Sequence, residues 1–202
     1  MRRRERLRVT GGRLGGRRIR VPPKAGVRPT ADRVREALFA RLSDLDGVHV
    51  LDLYAGSGAL GIEALSRGAA SAVFVERAAP VLAVLRENLG SLGLDGVSEV
   101  AVGDATTTVR RLARAGLRFD LVLLDPPYRE PLEAVRALRA LATSGILAAG
   151  ALVVAETSRR PALPPIEGLE RLDERRYGDT VIHRLTPCSP AGSAVTGGAG
   201  ET

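Results

Sequence analysis

Cysteine and long apolar runs are scarce in this 202-residue chain, and each scarcity excludes a class of protein. The single cysteine, Cys188, cannot form an internal disulfide, and no cluster of cysteine and histidine predicts a zinc site. The longest apolar run, Ile146 to Ala155, is interrupted by Gly150 and is too short for a transmembrane helix. No apolar signal segment follows the charged amino terminus. We therefore expect one α/β domain with short extensions, no metal, no membrane span and a cytoplasmic location.

Negative charge is scarce in the amino-terminal part of the chain. Residues 1–41 contain 14 Arg or Lys and 3 Asp or Glu, a net charge of +11, whereas residues 42–202 contain 16 and 20, a net charge of −4. The two values sum to the +7 of the whole chain. A basic arm on a mildly acidic body is typical of proteins that bind nucleic acid, although a solvated basic tail has the same composition.

A β-hairpin is predicted in the basic arm, where two Gly-Gly pairs stand among β-forming residues. Residues 9–10 would pair with residues 18–21 around residues 11–16, after a disordered leader at residues 1–6. Arginine suits RNA because its planar guanidinium binds phosphate through two hydrogen bonds and stacks on bases. The arginines expected to contact RNA are Arg8, Arg13, Arg17, Arg18 and Arg20 on the hairpin, with Arg28 and Arg33 after it.

Residues 48–61, VHVLDLYAGSGALG, predict a buried strand, a glycine turn and a helix. This order is typical of a site that binds a nucleotide-like ligand at the carboxyl edge of a parallel sheet. Glycine lets ligand and backbone approach closely, and the amino terminus of the helix supplies free N–H groups. Gly56-x-Gly58-x-x-Gly61 also satisfies the dinucleotide fingerprint, and Glu76 ends the next predicted strand, where a carboxylate can hold two ribose hydroxyls. A dehydrogenase, a methyltransferase and a tight turn without a ligand are all compatible with this stretch.

The rest of the chain alternates predicted strands and helices, which indicates a parallel sheet with helices on both faces. A helix is predicted to follow Thr30 as its N-cap, and its charged residues Arg33, Arg35 and Glu36 could face ligand or only solvent. Further strands are predicted at residues 71–75, 97–102, 119–124 and 148–155, and further helices at residues 59–67, 80–92, 106–115 and 132–143.

The carboxyl-terminal part of the chain has a different pattern. Residues 169–176 and 180–185 predict two strands with no helix between them, and therefore a terminal antiparallel pair. Residues 187–202 are rich in glycine, alanine and serine and predict a disordered tail. The expected domains are a basic RNA-binding arm at 1–29, a catalytic domain at 30–186 and this tail.

Asp125-Pro126-Pro127-Tyr128 follows the apolar strand predicted at residues 119–124. The two prolines fix the backbone and remove two N–H donors, so the Asp125 carboxylate and the Pro126 carbonyl remain as acceptors. Two acceptors aimed at the N–H bonds of an exocyclic amine favour the charge that develops on this nitrogen when it attacks a methyl group. Tyr128 would stack on the base, and Asp125 could receive the proton that leaves. A Pro-Pro turn that merely ends the strand is the alternative.

The order of motifs in this chain resembles that of class I S-adenosylmethionine-dependent methyltransferases that act on exocyclic amines. The motifs are DLYAGSG, Glu76, Gly103-Asp104-Ala105 and DPPY. Three longer stretches, RVTGGRLGGRRIRVP, RPTADRVREALF and LDLYAGSGALGIEALSRGA, resemble the RsmD family more narrowly. That family methylates N2 of guanine 966 in 16S rRNA of the small ribosomal subunit. The resemblance implies a Rossmann-like, seven-stranded, mostly parallel sheet with helices on both faces and an antiparallel last strand.

The resemblance also implies roles for single residues toward S-adenosylmethionine and guanine. Residues that would hold the amino acid end of the cofactor are Asp52, Ala55, Gly56, Ser57 and Gly58. Glu76 would hold its ribose, Asp104 and Ala105 would lie against its adenine, and the DPPY residues would receive the guanine. The expected partner is 16S rRNA in the small subunit, with the enzyme as a monomer. A methyltransferase acting on DNA adenine or another RNA, and an RNA-binding protein with an idle cofactor fold, are the alternatives.

Overall fold

The computed structural model describes residues 6–22, 29–42, 44–127 and 130–188. The strands in these ranges are β1 (Arg6–Arg8), β2 (Arg18–Arg20), β3 (His49–Leu53), β4 (Ser71–Glu76), β5 (Ser98–Val102), β6 (Phe119–Leu124), β7 (Leu147–Ser158), β8 (Leu169–Tyr177) and β9 (Thr180–Pro187). The α-helices are α1 (Pro29–Phe39), α2 (Ala59–Ser66), α3 (Ala79–Ser91), α4 (Ala105–Arg114) and α5 (Pro131–Ser144). Short 3-10 helices occur at Gly12–Leu14 and Asp95–Val97.

Seven of the described strands form one sheet in the order β5-β4-β3-β6-β7-β9-β8. The pairs from β5 to β7 are parallel, whereas β9 is antiparallel to both β7 and β8. Strands β3 and β6 lie in the middle and are almost wholly buried, because helices cover both faces of the parallel sheet there. The Rossmann-like sheet with an antiparallel last strand is therefore confirmed.

The helices form two layers that cover the two faces of the sheet. Helices α1, α2 and α3 pack with β1 and β2 on one face, around Phe74 and Ile62. Helices α4 and α5 pack on the other face, around Val109 and Leu138. The amino-terminal hairpin thus shares a hydrophobic core with the two helices that follow β3 and β4.

The amino-terminal hairpin exists, but its first strand is displaced from the predicted one. The strand β1 covers Arg6–Arg8 and pairs antiparallel with β2, so the prediction of residues 9–10 as the strand is wrong, and so is the assignment of Arg6 to a disordered leader. Leu7 lies opposite Ile19, and burial of this pair stabilises the earlier register. Thr10 instead turns toward α2, where its N–H donates to Glu63 Oε2 at 2.7 Å.

Two other expectations concern the ends of elements. Helix α1 begins at Pro29, so Thr30 lies inside the helix and is not its N-cap. Proline is favoured in the first helical turn because its missing N–H has no intrahelical partner there. The segments 1–5 and 189–202, which carry the rest of the expected leader and most of the expected tail, lie outside the described residues. Among the described helices, none combines the length and the apolar character needed to cross a bilayer.

Candidate active site

A cavity of about 840 Å³ opens at the carboxyl edge of the sheet. The parallel strands all end at this edge, so the loops after them meet around one space. One half of the cavity is lined by Asp52, Gly56, Glu76, Gly103 and Ala105, and the other half by Arg35, Glu156, Tyr177, Asp179 and Thr180. The loop after β6 lies between the two halves, because β6 is between β3 and β7 in the sheet. The cavity is within the size range of small-molecule sites.

The glycine loop between β3 and α2 has left-handed backbone at three positions. Tyr54, Gly56 and Gly58 have φ values of 61°, 58° and 82°. The Gly58 N–H donates to the Ala55 carbonyl at 2.7 Å, which closes the turn. Ala55, Gly56 and Ser57 line the cavity. Gly58 lies beneath it, since an added Cβ would be 2.6 Å from Leu85 Cδ1.

Asp52 lies at the end of β3, beneath the glycine loop, with 1% of its surface exposed. Its Oδ2 accepts a hydrogen bond of 2.9 Å from the N–H of Gly61, an orphan donor in the first turn of α2. Burial raises the pKa of the Asp52 carboxyl to about 7, the Gly61 N–H opposes this shift, and the Glu76 charge adds to it. The residue is therefore a carboxyl group that changes charge near neutral pH, at the wall of the cavity.

Glu76, at the end of β4, is held by three backbone N–H groups. Its Oε2 accepts from Gly56 at 3.1 Å, and its Oε1 accepts from Arg77 and Ala78, both at 2.8 Å. These bonds fix the half-buried carboxylate against the glycine loop, with Glu76 still lining the cavity. A carboxylate has about four acceptor sites, so capacity for ligand hydroxyls remains.

Asp104 does not line the same cavity as its chain neighbours Gly103 and Ala105. Asp104 is the N-cap of α4, and its Oδ1 accepts from the Thr107 N–H at 3.0 Å. Gly103 and Ala105 line the cavity, whereas the Asp104 side chain faces a groove between α4 and α5. The contact of Asp104 with the adenine stays a prediction, and Gly103 and Ala105 are the residues of this stretch that line the cavity.

Asp125, Pro126 and Pro127 line the cavity directly after β6. The Asp125 N–H donates to the Leu53 carbonyl at 3.5 Å, so the β3–β6 pairing continues to the mouth of the site. Pro126 is buried, whereas Asp125 and Pro127 are exposed. Tyr128 lies outside the described residues.

Tyr54 is a residue of the site for which the sequence pattern predicted no role. It lines the cavity, and its hydroxyl donates to Glu133 Oε2 on α5 at 3.0 Å. Burial raises the pKa of the Tyr54 hydroxyl above its usual range, and the hydrogen bond to Glu133 adds to this shift. The positive φ of Tyr54, which is uncommon for a residue other than glycine, marks it as unusual. This backbone angle is a property of the folded chain and cannot be read from the sequence.

Arg35 on α1 is buried at the cavity, so the alternative that the charged residues of this helix face only solvent is wrong for Arg35. It is 5% exposed and lines the cavity, and its guanidinium donates to the Arg8 carbonyl. Its Nε lies 3.5 Å from Glu63 Oε2, a carboxylate with no exposed surface. Arg33 and Glu36, in contrast, are exposed.

The candidate RNA-binding arginines fall into three groups. Arg8, Arg13, Arg17 and Arg18 are exposed on the hairpin, and Arg33 is exposed on α1. Arg20 forms an ion pair with Glu87 on α3. Arg28 lies outside the described residues.

Comparison with known proteins agrees with this architecture. The model of a family described as "Conserved hypothetical protein 95" matches residues 7–186. The chain is 37% identical over 180 residues to "Ribosomal RNA small subunit methyltransferase D" of Escherichia coli, covering 89% of this chain and 88% of that protein. It is 36% identical over 179 residues to "Putative rRNA methyltransferase YlbH" of Bacillus subtilis, covering 87% and 96%.

Among solved structures, the fold is similar to that of "Putative methyltransferase yhhF from Escherichia coli". The TM-score is 0.78 at 31% identity, with 91% of this chain and 98% of the other covered. The family match over residues 7–186 spans the hairpin from Leu7 onward, the glycine loop and the segment after β6. The chain therefore belongs to the RsmD family of methyltransferases, which confirms the resemblance found in its sequence motifs.

Proposed function

We propose that this protein transfers a methyl group from S-adenosylmethionine to N2 of a guanine in small-subunit rRNA, at the position numbered 966 in 16S rRNA. The observation that carries the proposal is one cavity in which the glycine loop and Glu76 lie beside Asp125-Pro126-Pro127. The names of the relatives, which are rRNA methyltransferases, support the substrate class. We expect the enzyme to work in the cytoplasm, where ribosomal subunits assemble.

The cofactor half of the cavity fits S-adenosylmethionine, which supplies a methyl group bonded to a positively charged sulfur. Glu76 offers a preoriented carboxylate to the two ribose hydroxyls. Asp52 offers a carboxyl group with a raised pKa, and the cationic amino group of the cofactor would stabilise its ionised form. Gly103 and Ala105 line the cavity without polar side chains, and the adenine would lie against them.

The other half of the cavity receives the base. Asp125 and the Pro126 carbonyl accept hydrogen bonds from the exocyclic amine, which direct its nitrogen toward the methyl group. The bound cofactor would supply the methyl group, its C–S bond breaking as the N–C bond forms and leaving a neutral thioether, and Asp125 or water would take the amine proton. The target base leaves its stack to reach this position, because a stacked base cannot enter a recessed cavity.

The first test is transfer of labelled methyl to four substrates in parallel: unmethylated small ribosomal subunits, protein-free small-subunit rRNA, duplex DNA and tRNA. Nuclease digestion then identifies the modified base. We expect N2-methylguanine from subunits. Label on adenine N6 or in DNA would overturn the substrate, and cofactor binding without any transfer would favour an RNA-binding protein with an idle site.

The role of Asp125 has its own test. Asp125→Ala is expected to lower the methylation rate by roughly 10²-fold or more, the scale of losing one group that stabilises developing charge. Cofactor affinity should change little, because the glycine loop and Glu76 are unchanged. Wild-type turnover in the variant would contradict the role.

A further inference from the structure

We propose that Asn88 is a positioning residue that makes the basic hairpin a structural part of the cofactor site. Asn88 lies on α3 with 2% of its surface exposed, and its side-chain amide contacts both the hairpin and the glycine loop. The inference rests on cofactor binding at the glycine loop, as proposed above. It predicts that loss of Asn88 weakens cofactor binding even when no RNA is present.

The Asn88 amide uses its acceptor and its donor in three hydrogen bonds. Its Oδ1 accepts from the Arg20 N–H at 2.8 Å, and its Nδ2 donates to the Arg20 carbonyl at 2.9 Å. The same Nδ2 donates its second hydrogen to the Ser57 carbonyl, also at 2.9 Å. One buried side chain therefore joins strand β2 of the hairpin to the middle residue of Gly56-Ser57-Gly58.

The bond to Ser57 fixes the peptide unit that follows it. This unit consists of the Ser57 carbonyl and the Gly58 N–H. The carbonyl accepts a hydrogen bond from Asn88, and the N–H donates to the Ala55 carbonyl at 2.7 Å. Glycine on either side of Ser57 would otherwise leave this peptide free to rotate. With both polar groups bonded, the segment that lines the cavity keeps one conformation before any ligand binds, which lowers the cost of ordering it.

The hairpin is itself firmly docked, so it can act as an anchor. Thr10 donates its N–H and its hydroxyl to Glu63 on α2, at 2.7 and 2.6 Å. Ser66, also on α2, donates to the Gly11 carbonyl at 2.5 Å and accepts from the Leu14 N–H at 2.9 Å. The hairpin therefore rests on α2 and α3, the helix that follows the glycine loop and the helix that carries Asn88.

The test compares Asn88→Ala with Ser66→Ala in the full-length protein. Ser66→Ala removes two hydrogen bonds that dock the hairpin but none to Ser57, so it controls for general loosening of the arm. S-adenosylhomocysteine binding is measured by calorimetry without RNA, and hydrogen exchange is followed at residues 54–60. We expect the Kd to rise about tenfold in Asn88→Ala and the loop amides to exchange faster, with both nearly unchanged in Ser66→Ala.

Asn88→Asp provides a second variant if Asn88→Ala folds poorly. At neutral pH its carboxylate faces two carbonyl oxygens, whereas its protonated form can donate to one of them. The ratio of its Kd to that of wild type should fall as the pH is lowered from about 8 to about 6, because burial raises the pKa of a carboxyl. Equal binding by wild type and both variants would overturn the role of Asn88, whereas failure of wild type to bind would overturn the proposed function.

Discussion

Arg8 and Arg18 lie directly opposite one another on the two strands of the amino-terminal hairpin. Both side chains are exposed, on the face opposite to the buried Leu7 and Ile19. Like charges at such cross-strand positions repel, with Cβ atoms roughly 5 Å apart. Among the described residues, no carboxylate pairs with either guanidinium. An anion bound between the two guanidinium groups would relieve this repulsion, and an RNA phosphate is the anion that the proposed function supplies.

We therefore expect the double substitution Arg8→Ala and Arg18→Ala to weaken binding of small-subunit rRNA. The slope of log affinity against log salt should become flatter by about 0.7 for each phosphate that the protein no longer binds. Arg110→Ala with Arg114→Ala is the matched control, since it removes the same charge from exposed positions on α4, on the other face of the sheet. An equally flattened slope in both double variants would mean that only net charge matters.

Two glycines of the hairpin allow the contact between the hairpin and α2 to be distinguished from backbone strain alone. Gly12 and Gly16 have φ values of 71° and 83°, so alanine strains the backbone at both, at a cost of about 1–2 kcal/mol. A Cβ at Gly12 would lie 1.9 Å from the Ser66 carbonyl oxygen, whereas a Cβ at Gly16 would meet nothing within 4 Å.

Gly12→Ala should therefore lower the Tm more than Gly16→Ala and should also reduce RNA affinity, because the hairpin must move away from α2. Thermal unfolding and RNA titration of the two variants measure this difference. Identical behaviour would show that the contact between Gly12 and α2 does not hold the hairpin in place.

Cofactor binding should depend on the charge of Asp52. Its pKa is about 7 in the folded protein, so it carries a proton below neutral pH. A cationic amino group favours the ionised form, and binding at low pH must release this proton. Affinity for S-adenosylhomocysteine should therefore rise with pH through about 7, by at most about tenfold per pH unit. Calorimetry in two buffers of different ionisation enthalpy measures the released proton, and Asp52→Asn should abolish it.

Asp52 and His183 should act on stability in opposite directions between about pH 4 and 6.5. Burial lowers the pKa of His183 to about 4, and Arg171 adds to this shift while Glu174 opposes it. Within this pH window His183 is protonated in the unfolded chain but neutral in the folded protein. Its contribution therefore makes the free energy of unfolding fall as the pH drops. Folded Asp52 instead retains a proton that the unfolded chain releases, so it makes stability fall as the pH rises.

His183→Gln should consequently leave a protein whose unfolding free energy increases as the pH is lowered through this window. The slope should approach, at most, about 1.4 kcal/mol per pH unit relative to wild type. Urea unfolding at several pH values measures it, and Asp52→Asn should give a slope of the opposite sign. Parallel curves for wild type and His183→Gln would contradict the low pKa of His183.

Much of the fold followed from local pattern. The apolar run at β6 predicted a strand buried on both faces, and the alternation of strands and helices predicted a parallel sheet, because burial and period are properties of neighbouring residues. The displaced strand β1 shows where this reasoning ends. Its three residues are mostly charged, and only the opposite residue Ile19 and the core beneath explain why Leu7 makes it a strand.

The candidate site divides in the same way. The sequence by itself determined the chemistry available to this protein: a glycine loop, the acids Asp52 and Glu76, and Asp125 with two prolines. Their spacing after strands also determined that they would share one sheet edge, because parallel strands end on the same side. Only the tertiary structure decided that Arg35 is buried, that Gly58 lies beneath the cavity and that Asn88 joins the hairpin to the glycine loop. These relationships depend on hydrogen bonds and packing between residues far apart in the chain, which no local pattern contains.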